Sequence, residues 1–414
     1  MLNRKLLEVL QHLTEFEKKR LRLFLASPYF NQGLRANDIL RLYDLIIQYT
    51  NDQKDPEQLK ENLFLIFFPD KTYQEKTKSQ LDSLASELFR LTRLFLGQTE
   101  MEKEQAAMYE HLAMARFYRK YALEERFWHT LEVARNMLET ASMRDGTYFL
   151  DHFRIDEEEL EFRGLYNTSE DDFHLVAAQK NLDRYFSILK MEYACAIAYQ
   201  KRQAQMENLE QPLLLDAVLS LSDAGGPFDM PINRVYRLII ELLQQPLSEA
   251  KLGELEEMLE HFRPQFSPQK FNNLKAYYRV LWVKWYHSAG DKQALQRIFE
   301  IYNEHLEEGY FYINGAIPLH TFRNLVTFSL TLKKFEWGKH FLDTHPPERI
   351  CGTRFPTEYY NLNLAEYYFA LKQYDEALNH LMYRSFENPI IGILVDLLLV
   401  KIYFETKNDL LDAR

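Results

Sequence analysis

The sequence predicts an all-α fold, with an N-terminal helical domain followed by an array of helix pairs. Glycine is scarce, 13 of 414 residues, about half the ordinary share, which disfavours turn-rich β architecture. Apolar residues recur at three- and four-residue spacing between recognisable caps along most of the chain. Aromatic residues make up 14%, with 26 Tyr and 29 Phe, and in a helical protein such rings are wedged between packed helices.

The bulk numbers bound what such a chain can do. Hydrophobic residues are 46% of the total, enough to bury a core. The formal net charge is −11, from 50 Lys+Arg against 61 Asp+Glu, which disfavours generic binding to nucleic acid or anionic membrane. Residues 1–98 differ mildly, with 15 basic and 13 acidic side chains. The two cysteines, Cys195 and Cys351, make no disulfide framework and are expected to be reduced. "MLNRKLLEVLQHL" is amphipathic and is no signal peptide. "IIGILVDLLLV" is too short to span a bilayer and is broken by Asp396. A soluble, cytoplasmic protein is expected.

The elements follow in order. A first helix spans roughly residues 3–12. Thr14 and Glu17 form a capping box that opens "EFEKKRLRLFLA". Pro28 stops this helix, because Ser27 before it is pushed out of helical conformation. "SPYFN" then turns with two rings tucked under the next helix, "ANDILRLYDLIIQY". Asp55-Pro56-Glu57 restarts the chain as "EQLKENLFLIFF". Thr72 and Glu75 form a second capping box, and Gly97 ends the helix they open. Residues 1–98 read as one domain and residues 102–262 as helical pairs. In that second span "TYFLDHFRIDEEELEFRGLY" precedes a long helix over about 170–207, and "AGGPFDMP" at 224–231 is a loop. Ser267 and Pro268 start another helix. "GYFYINGAI" near 310 is a weak strand candidate without an evident partner.

Residues 263–414 carry the repeat. In "EYYNLNLAEYYFALKQYDEALNHLMYRSFENP", residues 358–389, large and small residues alternate in a fixed order. Leu364 and Ala365 precede Tyr368, the second helix opens with Ala377 and Leu381, and Pro389 closes the unit. Small residues let two helices approach, and large ones fill the grooves beside them. The unit resembles a tetratricopeptide repeat (TPR), with departures at Asn361 and Arg384, where a Trp and a small residue are common. Two preceding segments align with it. Phe322, Leu325, Gly338 and Leu342 take the matching roles in one, and Leu281, Trp285, Ala294 and Ile298 in the other. The resemblance covers about 273–389 and is degenerate over 102–262. It implies a TPR-like α-α superhelical solenoid. The stretch "ILVDLLLVKIYFETKNDLLDAR" aligns as a next unit cut short, so the native chain is expected to continue beyond Arg414.

No motif carries enzyme chemistry, metal or cofactor binding. Zinc spacings and phosphate loops are absent. Asp171 and His174 form a single Asp-x-x-His, where a di-iron site needs paired Glu-x-x-His motifs, so a surface or capping pair is expected. Ser187 and Lys190 match a Ser-x-x-Lys spelling without its companion motifs. The acidic run Asp156 to Glu159, with Glu161, reads as a solvated helix face or a dock for a basic partner. Lys18, Lys19 and Arg22 read as a solvated face, a patch for an acidic protein, or a nucleic-acid contact. The reading is a non-enzymatic protein–protein scaffold or adaptor. By the resemblance, Tyr359, Leu362, Glu366 and Phe369 face the groove that holds a partner protein or peptide, with core packing as the alternative for the apolar members. The alternative function is a regulator whose N-terminal domain contacts nucleic acid.

Overall fold

The computed structural model describes residues 4–50, 56–69, 75–166, 173–203, 208–290, 292–381 and 388–412. Among these the chain is all-helical, apart from two strands of two residues each. It divides into two compact units, Met1–Ala134 and Arg135–Arg414.

The first unit holds α1 (Arg4–His12), α2 (Glu15–Ala26), α3 (Ala36–Thr50), α4 (Pro56–Phe67) and α5 (Glu75–Lys120), and α6 (Glu124–Thr140) begins in it. The capping box at Thr14 and Glu17 is present in both directions. Ser27 is extended and ends α2, as the following proline requires. Of the two rings expected to tuck under α3, Phe30 stacks on Phe24 at 4.1 Å, but Tyr29 is exposed. Leu6, Leu21, Leu42, Leu63 and Leu88 share one buried cluster that ends at Phe95. The expected helix end at Gly97 is incorrect, since α5 runs through it. A mid-helix glycine costs only about 1 kcal/mol, and the flanking "RLFL" and "QTEMEKEQ" contain no turn residue to convert that cost into a stop. The boundary expected at 98–102 therefore falls inside a helix. Asp55 and Thr72 lie outside the described residues.

The second unit begins within α6 and continues through α7 (Gly146–Tyr166), α8 (Phe173–Gln203), α9 (Leu215–Leu221), α10 (Pro231–Gln244), α11 (Glu249–Phe262), α12 (Pro268–Ala289) and α13 (Lys292–Glu307). It ends with α14 (Leu319–Thr331), α15 (Phe335–Thr344), α16 (Pro356–Ala370), α17 (Tyr374–Leu381) and α18 (Pro389–Asp412). From α10 onward each helix packs on the next, and α10 also packs on α12, α14 on α16, and α16 on α18. One hydrophobic cluster runs from Phe149 to Tyr367, across the boundary expected at 262–263. The small residues do what their spacing suggests: Ala294 and Ala377 are buried, and a Cβ on Gly338 would sit 2.8 Å from Ser329 Oγ. That contact is where α14 and α15 approach. The strand expected near 310 forms later: β1 (Ile317–Pro318) pairs in parallel with β2 (Ile350–Cys351).

The acidic run on α7 is not a solvated face. Asp156, Glu158 and Glu159 are at most 4% exposed. Arg135 donates to Asp156 at 3.0 Å and to Glu159 at 2.5 Å, Arg163 to Glu159 at 2.9 Å, and Asn181 to Asp156 at 3.1 Å. Only Glu157 and Glu161 of the run face solvent. Buried carboxylates need such partners, and arginines up to 24 residues away supply them.

Candidate functional site

The second unit holds a cavity of about 520 Å³, lined from α8, α10, α12, α13 and α14. Helix α12 supplies most of its wall. Ala276, Val280, Val283 and His287 repeat at helical spacing and share one face, and Arg279 and Lys284 flank that face on either side. Tyr302 comes from α13, and His320, Thr321 and Asn324 from α14. No carboxylate is among the lining residues.

Arg279 is half-buried and has an unusual set of neighbours. Its Nη1 donates to Nδ1 of His305 at 2.7 Å. Its guanidinium lies over the rings of Phe311 at 4.7 Å and Tyr302 at 6.0 Å. Burial pushes the guanidinium down to about 10. An arginine is always the donor, so Nδ1 of His305 must accept and its ring is neutral. Burial first, then Arg279 and Lys275, push His305 down to about 3. Neither aromatic faces nor a neutral imidazole cancel a full positive charge. The site thus offers a partly desolvated cation to whatever enters.

The remaining polar groups extend this character. Nζ of Lys284 donates to the carbonyls of Leu242 at 2.6 Å, Leu243 at 3.1 Å and Gln245 at 3.0 Å. It stands at the C-terminal end of α10, where the helix dipole favours a cation. His320 is held below the ordinary imidazole range by burial and by Arg279. Asn324 Nδ2 donates to Tyr302 Oη at 3.3 Å. The arrangement can bind an anionic group with orientation.

The residues singled out in the sequence lie elsewhere. Tyr359 and Leu362 are 9% and 0% exposed, inside a cluster with Ala377, Leu381, Ile391 and Ile402. Phe369 packs partly buried against the same cluster. Glu366 is half-buried; burial raises its carboxyl, and Arg323 and Lys401 oppose that rise. The reason is that apolar residues of α17 and α18 pack on the face of α16 that was expected to lie open. Ser187 is buried and its hydroxyl donates to the Arg184 carbonyl, so it is no exposed nucleophile. Asp171 lies outside the described residues. Two of the basic residues on α2 are engaged, Arg22 with Asp44 at 2.8 Å and Lys18 with Glu15 at 2.7 Å.

Arg279 and Lys284 were missed in the sequence, although "AYYRVLWVKWYH" carried a signal. An apolar face flanked on both sides by cations is visible in its spacing; the lack of any facing carboxylate is not. Among the described residues no group of three His, Cys, Asp or Glu could hold a metal ion. No described helix is long and apolar enough to cross a membrane. Comparison with protein-family models, curated proteins and solved structures finds no match for the chain.

Proposed function

We propose that this chain is a non-enzymatic protein-recognition scaffold built as a TPR-like superhelix. In this reading α10, α12, α14 and α16 form its inner wall. The partner is a peptide segment that places a carboxylate, from a side chain or a chain end, against Arg279. The observation that carries the proposal is the cavity lined by Arg279, Lys284, His287 and His320 with no carboxylate, in a chain of net charge −11. A positive concavity on an acidic protein concentrates field on one spot and selects acidic ligands. A buried Arg–carboxylate contact then fixes orientation.

The test is selection of binders from a random peptide display library, followed by titration calorimetry on the enriched peptides. Enrichment of acidic residues or of a free C-terminus is expected. Arg279→Gln, which keeps a donor for His305, should weaken binding by at least about tenfold, the loss of one charged hydrogen bond, with an unchanged thermal melt. Enriched peptides that carry no acid, or that bind the variant equally well, would overturn the proposal.

A further inference from the structure

We propose that the outer face of α18 is a homodimerisation surface, on which a second copy of this chain packs its own α18 in parallel. The helix is apolar on two faces. Ile391, Val395, Leu398 and Ile402 point inward and are at most 6% exposed. On the opposite side Ile390, Ile393, Leu397, Val400 and Phe404 are between 54% and 66% exposed. A helix that is apolar all round is ordinarily buried all round, and here only one side is covered.

Three features identify the occupant. The exposed residues are spaced three, four, three and four apart, the a and d positions of two heptads, which is the seam two helices use to pack on one another. With Tyr403 beside them, these side chains leave apolar surface on the order of 600 Å² per copy at the usual size of such residues. Two copies would cover about 1,200 Å², the lower end of specific interfaces. Exposed Asp396 and Lys401 then fall at the flanking g and e positions, five residues apart. In a parallel pair, g of one helix faces e of the other five residues on, so symmetry makes two Asp396–Lys401 pairs. An antiparallel pair would instead set g against g and bring the two aspartates together. Within the second unit, α16 and α17 pack on the opposite face of α18.

Sedimentation equilibrium of the 414-residue chain between micromolar and about 200 μM tests this, a range set by the small interface. A reversible monomer–dimer equilibrium is expected. Leu397→Lys should weaken it more than about tenfold, as for a central anchor, with an unchanged circular dichroism spectrum. Asp396→Lys should also weaken the dimer, and adding Lys401→Asp should restore it. A chain that is monomeric throughout would overturn the proposal and assign the face to a different partner. A dimer indifferent to Leu397→Lys would move the interface elsewhere, and failure of the double exchange to restore it would overturn the parallel register.

Discussion

The second unit takes charge out of water on α7 and on α12, and the two sites differ in what surrounds the charge. On α7, Asp156 and Glu159 are 4% and 1% exposed, and Arg135 and Arg163 reach them at 2.5–3.0 Å. Every one of these contacts joins opposite charges. On α12, Arg279 is pushed down to about 10 by burial, yet its neighbours are a neutral imidazole and two rings. The first site needs nothing from outside. The second retains an attraction for an anion, because desolvation has been imposed without a counter-charge.

The largest expected effect concerns the balanced site. Arg135→Met removes the cation that reaches Asp156 and one of the two that reach Glu159. The loss should be about 3–5 kcal/mol, read as a lowered urea midpoint at pH 7. Arg279→Gln should show no such loss. If Arg135→Met costs under about 1 kcal/mol, the acidic run is wet in solution and the contrast collapses.

A smaller effect tests the neutrality of His305, on which the state of Arg279 depends. His305 falls from 6.5 to about 3 on folding. Below pH 6.5 the unfolded chain binds a proton that the folded chain refuses until about pH 3. The stability tied to neutral His305 is therefore complete above pH 6.5 and is lost as pH falls, by about 1.4 kcal/mol per unit. His305→Gln keeps an acceptor for Arg279 and removes the titration. Between pH 6.5 and 5 the unmodified chain should lose about 2 kcal/mol more than this variant. His152, His320 and His345 shift in the same direction, and Asp151 and Glu366 in the opposite one, but all five are common to both chains and cancel. Parallel stability profiles would mean that the folded chain protonates His305 readily, which would place a second cation beside Arg279.

The helices were legible in the sequence wherever local chemistry decides them. Thr14 and Glu17 cap α2, Ser27 ends it, and Ser267 caps α12 through the Lys270 amide. Ala294, Gly338 and Ala377 were legible as close-approach residues because a missing side chain announces itself. What failed was of two kinds. Gly97 was given more weight than a single glycine carries against strong helix-forming neighbours. The acidic run and the cationic cavity failed for another reason: burial and charge pairing are three-dimensional. Arg135 is 21 residues from Asp156 in sequence, and Tyr302 is 23 from Arg279, so no local pattern reveals that one cation is matched and the other is not. Tyr359 and Leu362 show the same limit. Their spacing is right for a groove, and packing with α17 and α18 places them in the core.

The smallest expected effect is a control on the cavity itself. The first unit has a cavity of about 590 Å³ that also contains arginines, Arg35 and Arg90. Here the counter-charges are present. Glu87 lines the same cavity and accepts from Arg90 Nε at 3.0 Å and from Nη2 at 2.8 Å. Arg35 Nε lies 3.9 Å from Asp38. Both pairs are largely exposed, so solvent screens them and each contributes little. Arg90→Gln should change stability by no more than about 0.5 kcal/mol and leave acidic-peptide affinity unaltered. The two cavities are then similar in size, but the arginines of the first are exposed and paired with carboxylates, and Arg279 is half-buried without one. If Arg90→Gln weakened acidic peptides as Arg279→Gln does, an arginine at a concave surface would suffice for binding, and the absence of a counter-charge around Arg279 would not be what selects the ligand.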